Sequence, residues 1–392
     1  MYFATFVGGL LFLLPIFALY LEKELFSITN VAIILSIEAI SIAVFEIPTG
    51  ALADLFGRKK TLILAHITRV LSVLFLYVGG SFLMFILYAI VAGLSMSLSS
   101  GTDQALIYDT LKDENKERYY KKIIGMFEAI WAISLSIGAI IGGYFAKFSL
   151  SFPVLMTLIP LSIAAISILF LKEPNYEKED HRNIFRHIKN SFKLTVNSKQ
   201  LIVLIAGLFV LGALGETMHH LVPLFFKFKE IPVEMFGWIT ATIFFWSSLG
   251  HYFSHNISEK FGNKKILLIC VLASPILVLI ATFLDKYAAI VLFTFSSFFF
   301  GIRRPLINYF INLEVSSSKR ATIMSTSNFL CKIGLGIFAP IIGHFADLYS
   351  INTAFKISAI AMFSIFVIYI FLQDKKVEHE KFSNEIQSPP SV

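Results

Sequence analysis

Long apolar runs alternate with short polar interruptions along the whole chain, and that spacing predicts an all-α membrane protein. Each run holds roughly 18–25 mostly apolar residues, enough at 1.5 Å per residue to cross about 30 Å of hydrocarbon. Twelve runs can be placed, at 3–21, 28–50, 61–80, 83–109, 121–146, 150–171, 200–223, 234–257, 264–284, 287–312, 320–346 and 352–373. An even count puts both ends of the chain on one side, and the basic residues say which. If the interruption after the second run is cytoplasmic, 23 of the 33 Lys and Arg lie on that side, five on the other and five inside runs. Cytoplasmic loops keep such an excess, so both termini are expected in the cytoplasm of a multi-pass cell-membrane protein.

The longest interruption, Lys172–Gln200, divides the pattern into a six-run half at 1–172, a linker at 173–199 and a second six-run half at 200–373. Ile184, Phe185, Ile188 and Phe192 recur there at helical spacing with Arg182, Arg186, Lys189 and Lys193 around them. A basic amphipathic helix on the inner membrane surface fits that pattern, and so does a solvated tether. The tail, 374–392, ends Ser-Pro-Pro-Ser-Val and is expected to be disordered.

The interruption between the second and third runs reads Gly50-Ala-Leu-Ala-Asp54-Leu-Phe-Gly57-Arg58-Lys59-Lys60. A worn copy, Ser258-Glu259-Lys260-Phe261-Gly262-Asn263-Lys264-Lys265, follows 205 positions later at Gly262, again between two apolar runs. Gly143-Tyr-Phe-Ala146 likewise returns as Gly343-His-Phe-Ala346, and Pro15 as Pro223. Three echoes in order point to two related halves. The first segment fills the pattern G-x-L-A-D-x-x-G-R-K-x and resembles the loop between helices 2 and 3 of major facilitator superfamily transporters. The resemblance implies twelve transmembrane helices in two pseudo-symmetric six-helix bundles, with the substrate near the bilayer midplane between them. It also implies a gate: Gly50 and Gly57 shape the turn, Arg58 pairs with an acid at the inner end of span 4, here Asp109, and Asp54 faces the N-terminus of span 11. These contacts are expected to close the cytoplasmic side.

Composition narrows the classes. A 56% hydrophobic content and a mean hydropathy of +0.76 exceed what a soluble core could bury. The net charge of +7 is spread over loops on one membrane side, so no nucleic-acid partner is expected. Cys270 and Cys331 lie inside apolar runs and read as free thiols. The first run lacks a basic start and a small-residue cleavage pattern, so it reads as a retained helix. No phosphate-binding Gly-Lys-Ser/Thr loop, nucleophile–base constellation or metal-ligand cluster stands out in the sequence. The expectation is a carrier and not an enzyme, without cofactor or metal, driven by an ion or substrate gradient.

Charges inside a bilayer are costly and therefore candidates for function. Glu38 and Lys332 lie equally deep in spans 2 and 11, which the resemblance places in contact, so a breakable pair is expected between them. Asp103, Glu128 and Glu216 complete the candidates for proton coupling, with Glu46 and Arg69 of lesser weight. The resemblance implies a cavity lined by spans 1, 4, 7 and 10, which offers Gln104, His220, Arg303, Arg304 and Asn308 for substrate contact. Adjacent His219 and His220 point to different faces of a helix, which argues against a metal site. Drug–proton antiporters of the family often carry G-x-x-x-G-P-x-x-G-G in span 5. Here Ser134 and Ala139 replace the first Gly and the Pro. The leading expectation is proton-coupled export of a small amphiphilic or drug-like compound by a monomer that meets only substrate, protons and lipid. The alternative is uptake or exchange of a small polar solute such as a sugar, organic acid or siderophore.

Overall fold

The computed structural model describes residues 1–174, 198–315 and 317–372, without the side chains at 47, 50, 51, 54, 55 and 317–322. Among these residues there are helices and no strand. In chain order they are α1 (Tyr2–Gly8), α2 (Phe17–Leu25), α3 (Ile28–Phe56), α4 (Arg58–Val78), α5 (Phe82–Ser99), α6 (Thr102–Asp113), α7 (Tyr120–Phe145) and α8 (Ser151–Leu169). After the linker come α9 (Lys199–Gly207), α10 (Ala213–Phe228), α11 (Met235–Phe261), α12 (Asn263–Ala281), α13 (Lys286–Glu314), α14 (Ser317–Leu348) and α15 (Ile351–Ile370). The proposed amphipathic linker helix and the tail fall outside the described residues.

Polar caps mark where helices begin. The side chains of Ser27, Ser81, Ser198, Asp285 and Ser350 each accept a hydrogen bond from the amide three residues on, satisfying one orphan donor of the first turn. Glycines with positive φ end helices at Gly57 (φ +104°) and Gly262 (φ +91°). Their ψ values, 153° and 133°, are also close, so the echo read in the sequence is an echo of backbone geometry.

Among the described residues ten segments are long and apolar enough to cross a membrane. The runs at 3–21 and 234–257, expected as spans, are not among them. The first is broken: α1 ends at Gly8 with Gly9 as its cap, and a single tight turn at Leu14–Ile16, built on Pro15, leads into α2. The amide of Leu13, freed by the break, donates to Thr157 Oγ1 at 3.1 Å. The second forms the unbroken α11, but His251, His255, Asn256 and Glu259 make half of it polar. Two further departures lie inside expected spans. Gly101 (φ +75°) separates α5 from α6, and a π turn at Leu208–Gly212 joins α9 to α10.

Helices up to α8 pack mainly on one another, as do those from α9 onward, and the two sets meet along α3–α14, α7–α11 and α2–α10. Small residues allow that approach. A Cβ on Gly343 would lie 2.7 Å from Ala32 Cβ, and one on Gly143 would lie 2.9 Å from the Gly237 amide. In the second set Phe225, Phe226, Phe236, Phe293 and Phe355 form an aromatic core, with Phe225 and Phe355 stacked at 4.9 Å.

Candidate functional site

Because α3 runs about 44 Å, the molecule has two distinct ends, the basic end carrying the Gly57 turn and an opposite end. At the basic end Arg58 Nε donates to Asp109 Oδ2 at 3.4 Å, and both side chains are largely buried. The carboxylate of Glu173, just past α8, accepts the Lys59 amide at 3.1 Å and so caps the positive end of α4. It also explains the glycine: a Cβ on Gly57 would lie 2.9 Å from Glu173 Oε1, in a backbone conformation that other residues rarely adopt. Gly50 lies within α3 and not in the turn, and the side chain of Asp54 is outside the described residues.

Deeper in the bundle, charged groups from six helices converge. Lys332 Nζ on α14 donates to Glu216 Oε1 on α10, and His220 Nε2, one turn further along α10, lies 4.0 Å from the same oxygen. Across the interface Glu38 on α3 accepts from the Tyr88 hydroxyl of α5 at 3.3 Å. His220, Lys332 and Arg69 all lie near enough to Glu38 to influence it electrostatically. Arg69 on α4 in turn acts on Glu38 and Asp103, and Asp103 on α6 is close enough to feel Glu128 on α7. The series Glu128, Asp103, Arg69, Glu38, Lys332, Glu216 therefore passes from one helix set to the other. Asp103 sits in the first turn of α6, where the break at Gly101 exposes the helix dipole to its carboxylate.

The expected direct pair of Glu38 with Lys332 is not formed. Lys332 bonds Glu216 within its own helix set, and Glu38 bonds Tyr88 within the other. Depth along a helix does not fix rotation about it, and Lys332 is turned toward α10. Arg303 also departs from its expected cavity position. It is only 4% exposed, stacks on the Phe300 ring at 5.2 Å and lies near Tyr369, Cys270 and Cys331 inside the second set. Its Nη1 has no hydrogen-bond partner. Arg304 and Gln104 are exposed, and Asn308 is half-buried. Tyr88 went unnoticed in the sequence, since one tyrosine in an aromatic-rich run carries no signal until its helix is placed. Among the described residues no three His, Cys, Asp or Glu side chains converge on a point that could hold a metal.

At the opposite end polar contacts tie the two sets together. Asp347, at the end of α14, accepts from Ser27 Oγ and Thr29 Oγ1 at 2.6 Å each and from the amides of Ile28 and Thr29 at 2.8 and 2.9 Å. Lys227 on α10 bonds Glu22 on α2 at 2.7 Å. Lys147 lies 3.4 Å from Glu234, and Trp238 Nε1 donates to the Tyr144 hydroxyl at 3.3 Å. At the basic end the matching stretches of α7 and α11 are exposed.

Comparison with known proteins places this architecture. A sequence profile of the Major Facilitator Superfamily matches residues 1–232 and again 221–392. An uncharacterized MFS-type transporter of Bacillus subtilis, YxaM, is 24% identical over 383 residues, covering 94% of each chain. Multidrug resistance protein 2 of the same organism is 23% identical over 353 residues, covering 87% of this chain and 85% of that protein. The crystal structure of the nucleoside transporter NupG superposes with a TM-score of 0.78 at 16% identity, covering 96% of this chain and 98% of the other. The protein is a multi-pass membrane transporter and not an enzyme. It belongs to the Major Facilitator Superfamily.

Proposed function

We propose that the chain crosses the membrane twelve times as two six-helix halves, at 1–172 and 200–373, and exports a small amphiphilic compound in exchange for protons. The observation that carries this reading is the Lys332–Glu216 pair, with Glu38 beside it on the other half. An acid that binds a proton releases its lysine, and the freed lysine is then attracted to the acid across the interface. Proton binding would thus change which half Lys332 is held to, which is what coupling to alternating access requires. In this state the basic end, read as cytoplasmic, is open and the outer end is closed. The Arg58–Asp109 pair is already formed within one helix set in this state, so holding the alternative, outward-open state would fall to Asp54 beside Gly50 and Gly57. Similarity to multidrug resistance protein 2 supports an amphiphilic substrate, and aromatic walls such as Phe6 and Phe12 suit one.

Inside-out vesicles with an imposed pH gradient test this directly, with ethidium as the probe. Glu216→Gln is expected to abolish gradient-driven ethidium movement, and Asp103→Asn to reduce it, with protein levels unchanged. Unaltered flux in Glu216→Gln would falsify the coupling role. A second reading, carriage of a polar or anionic solute, draws on the guanidinium of Arg303 with its unsatisfied Nη1. Loss of transport only in Arg303→Ala, with no competition by ethidium, would select it.

A further inference from the structure

Arg303 is a permanent charge held inside the second helix set. It lies about 16 Å along α13 from the end at Glu314, so its depth is that of hydrocarbon and not of a loop. The side chain is 4% exposed, and its Nη1 reaches no hydrogen-bond partner. Among the described residues no acid forms an ion pair with it. A guanidinium carries five N–H donors and keeps its charge at any pH the protein meets. The Phe300 ring, 5.2 Å away, offsets only part of that charge. The first helix set handles the same problem differently: its buried arginine, Arg69, has the acids Glu38 and Asp103 near enough to influence it. Removing a charge from water without a counter-charge is among the costliest arrangements a membrane protein can hold.

The polar groups around Arg303 add donors. Tyr369 on α15, Cys270 on α12 and Cys331 on α14 lie near enough to influence it. Phenols and thiols ordinarily keep their protons at neutral pH, so each is a neutral group with a hydrogen to give. The Tyr369 hydroxyl is held in place by donating to the Leu204 carbonyl at 3.2 Å. A guanidinium among O–H and S–H groups is the donor set that suits an anion. The packing limits its size. A Cβ on Gly207 would collide with the Tyr369 hydroxyl, and one on Gly212 would lie 2.7 Å from Cys331 Sγ. A route in is also present. Cys331 is half-buried and lies near Arg303, Arg304, Lys332 and Glu216, so it stands between the charged series at the interface and Arg303. Arg304 is exposed, and the Glu216 carboxylate is already paired with Lys332. An anion entering from the interface therefore meets positive charge along the way.

We propose that the second helix set binds a small inorganic anion of chloride size, held by the Arg303 guanidinium beside the Tyr369 hydroxyl and the Cys331 thiol. The ion is a resident counter-charge within one helix set and not cargo between the two. It gives Arg303 what Glu38 and Asp103 give Arg69, and it lets α12, α13, α14 and α15 pack around a charge that has no acid of its own. The site stands apart from both transport readings above, since it needs neither flux nor a gradient.

Thermal melting of the full chain in detergent tests the site, with sodium chloride set against sodium gluconate at equal ionic strength. Chloride is expected to raise the melting temperature by a few degrees, because an ion that binds only the folded state stabilises it. Arg303→Gln is expected to melt at the same temperature in both salts. Equal melting of the unaltered protein in the two salts overturns the site, and so does a chloride shift that persists in Arg303→Gln. Labelling of Cys331 by N-ethylmaleimide, in a Cys270→Ala background, gives a readout that leaves Arg303 in place and decides the matter if Arg303→Gln does not fold. With chloride about tenfold above the midpoint of its titration, labelling is expected to slow about tenfold relative to gluconate. An unchanged rate overturns the site. A shift given by sulfate and not by chloride overturns the assignment of a monatomic ion.

Discussion

The two glycine turns, at Gly57 and Gly262, have nearly the same backbone angles and very different surroundings. Each joins two long helices and lies near the end of the last helix of its own set. At the first, Glu173 beyond α8 caps the amide of Lys59, and Arg58 pairs with Asp109. At the second, Asn263 stands where Arg58 stood, and Lys264 Nζ donates to the carbonyl of Ile370 at the end of α15, at 2.9 Å. An acid capping the start of one helix has become a lysine capping the end of another. A Cβ on Gly262 meets nothing within 4 Å, whereas one on Gly57 meets a carboxylate. Backbone geometry is thus the shared property of the two halves, and the charge that surrounds it is particular to each.

That contrast breaks most sharply at the glycines. Ala at either position takes on backbone strain of about 1–3 kcal/mol, but Gly57→Ala also pushes into Glu173. The expected result is a clearly larger fall in melting temperature for Gly57→Ala than for Gly262→Ala in detergent-solubilised protein. Equal falls would show that the carboxylate yields freely. A smaller effect is expected from removing the first turn's charge: Arg58→Asn, which copies the second turn, should slow ethidium transport severalfold at nearly normal stability. The reciprocal Asn263→Arg should leave transport unchanged, since it keeps the Arg58–Asp109 pair intact. A gain or loss there would mean that the second turn also gates. The smallest change expected is in Lys264→Ala, which removes one exposed hydrogen bond and should alter stability by no more than about 0.5 kcal/mol. A large loss would give the second turn a structural role equal to the first.

Apolar run length was enough to find the helices, because each run must satisfy its own backbone in lipid. Repetition of glycine and lysine at matched offsets was enough to find the duplicated turn. The breaks at Pro15 and Gly101 were less legible, since an apolar run looks the same whether or not its backbone is continuous. The charged residues were found individually by the cost of placing them in a membrane, yet their partners were not. Glu38 and Lys332 share a depth, and only the rotation of α14 shows that Glu216 takes the lysine. Arg303 was conspicuous as a charge, while its position behind Phe300 depends on packing among four helices. In α11 the polar residues His251, His255, Asn256 and Glu259 weakened the membrane signal of an unbroken helix.

The π turn at Leu208–Gly212 has a consequence for how the site can evolve. It holds one residue more than an α turn, so it rotates everything after it by about 100° relative to an uninterrupted helix. Glu216 and His220 owe their heading toward Lys332 to the way the turn takes up that residue. Deleting any one residue within the turn would restore ordinary helical geometry and leave the fold's connections whole, with both side chains still heading toward Lys332, because the turn absorbs the surplus residue. An insertion or deletion is usually ruinous inside a membrane helix. Here five residues form a place where the chain can change length by one, keep its helix, and keep the side chains beyond it facing the same way.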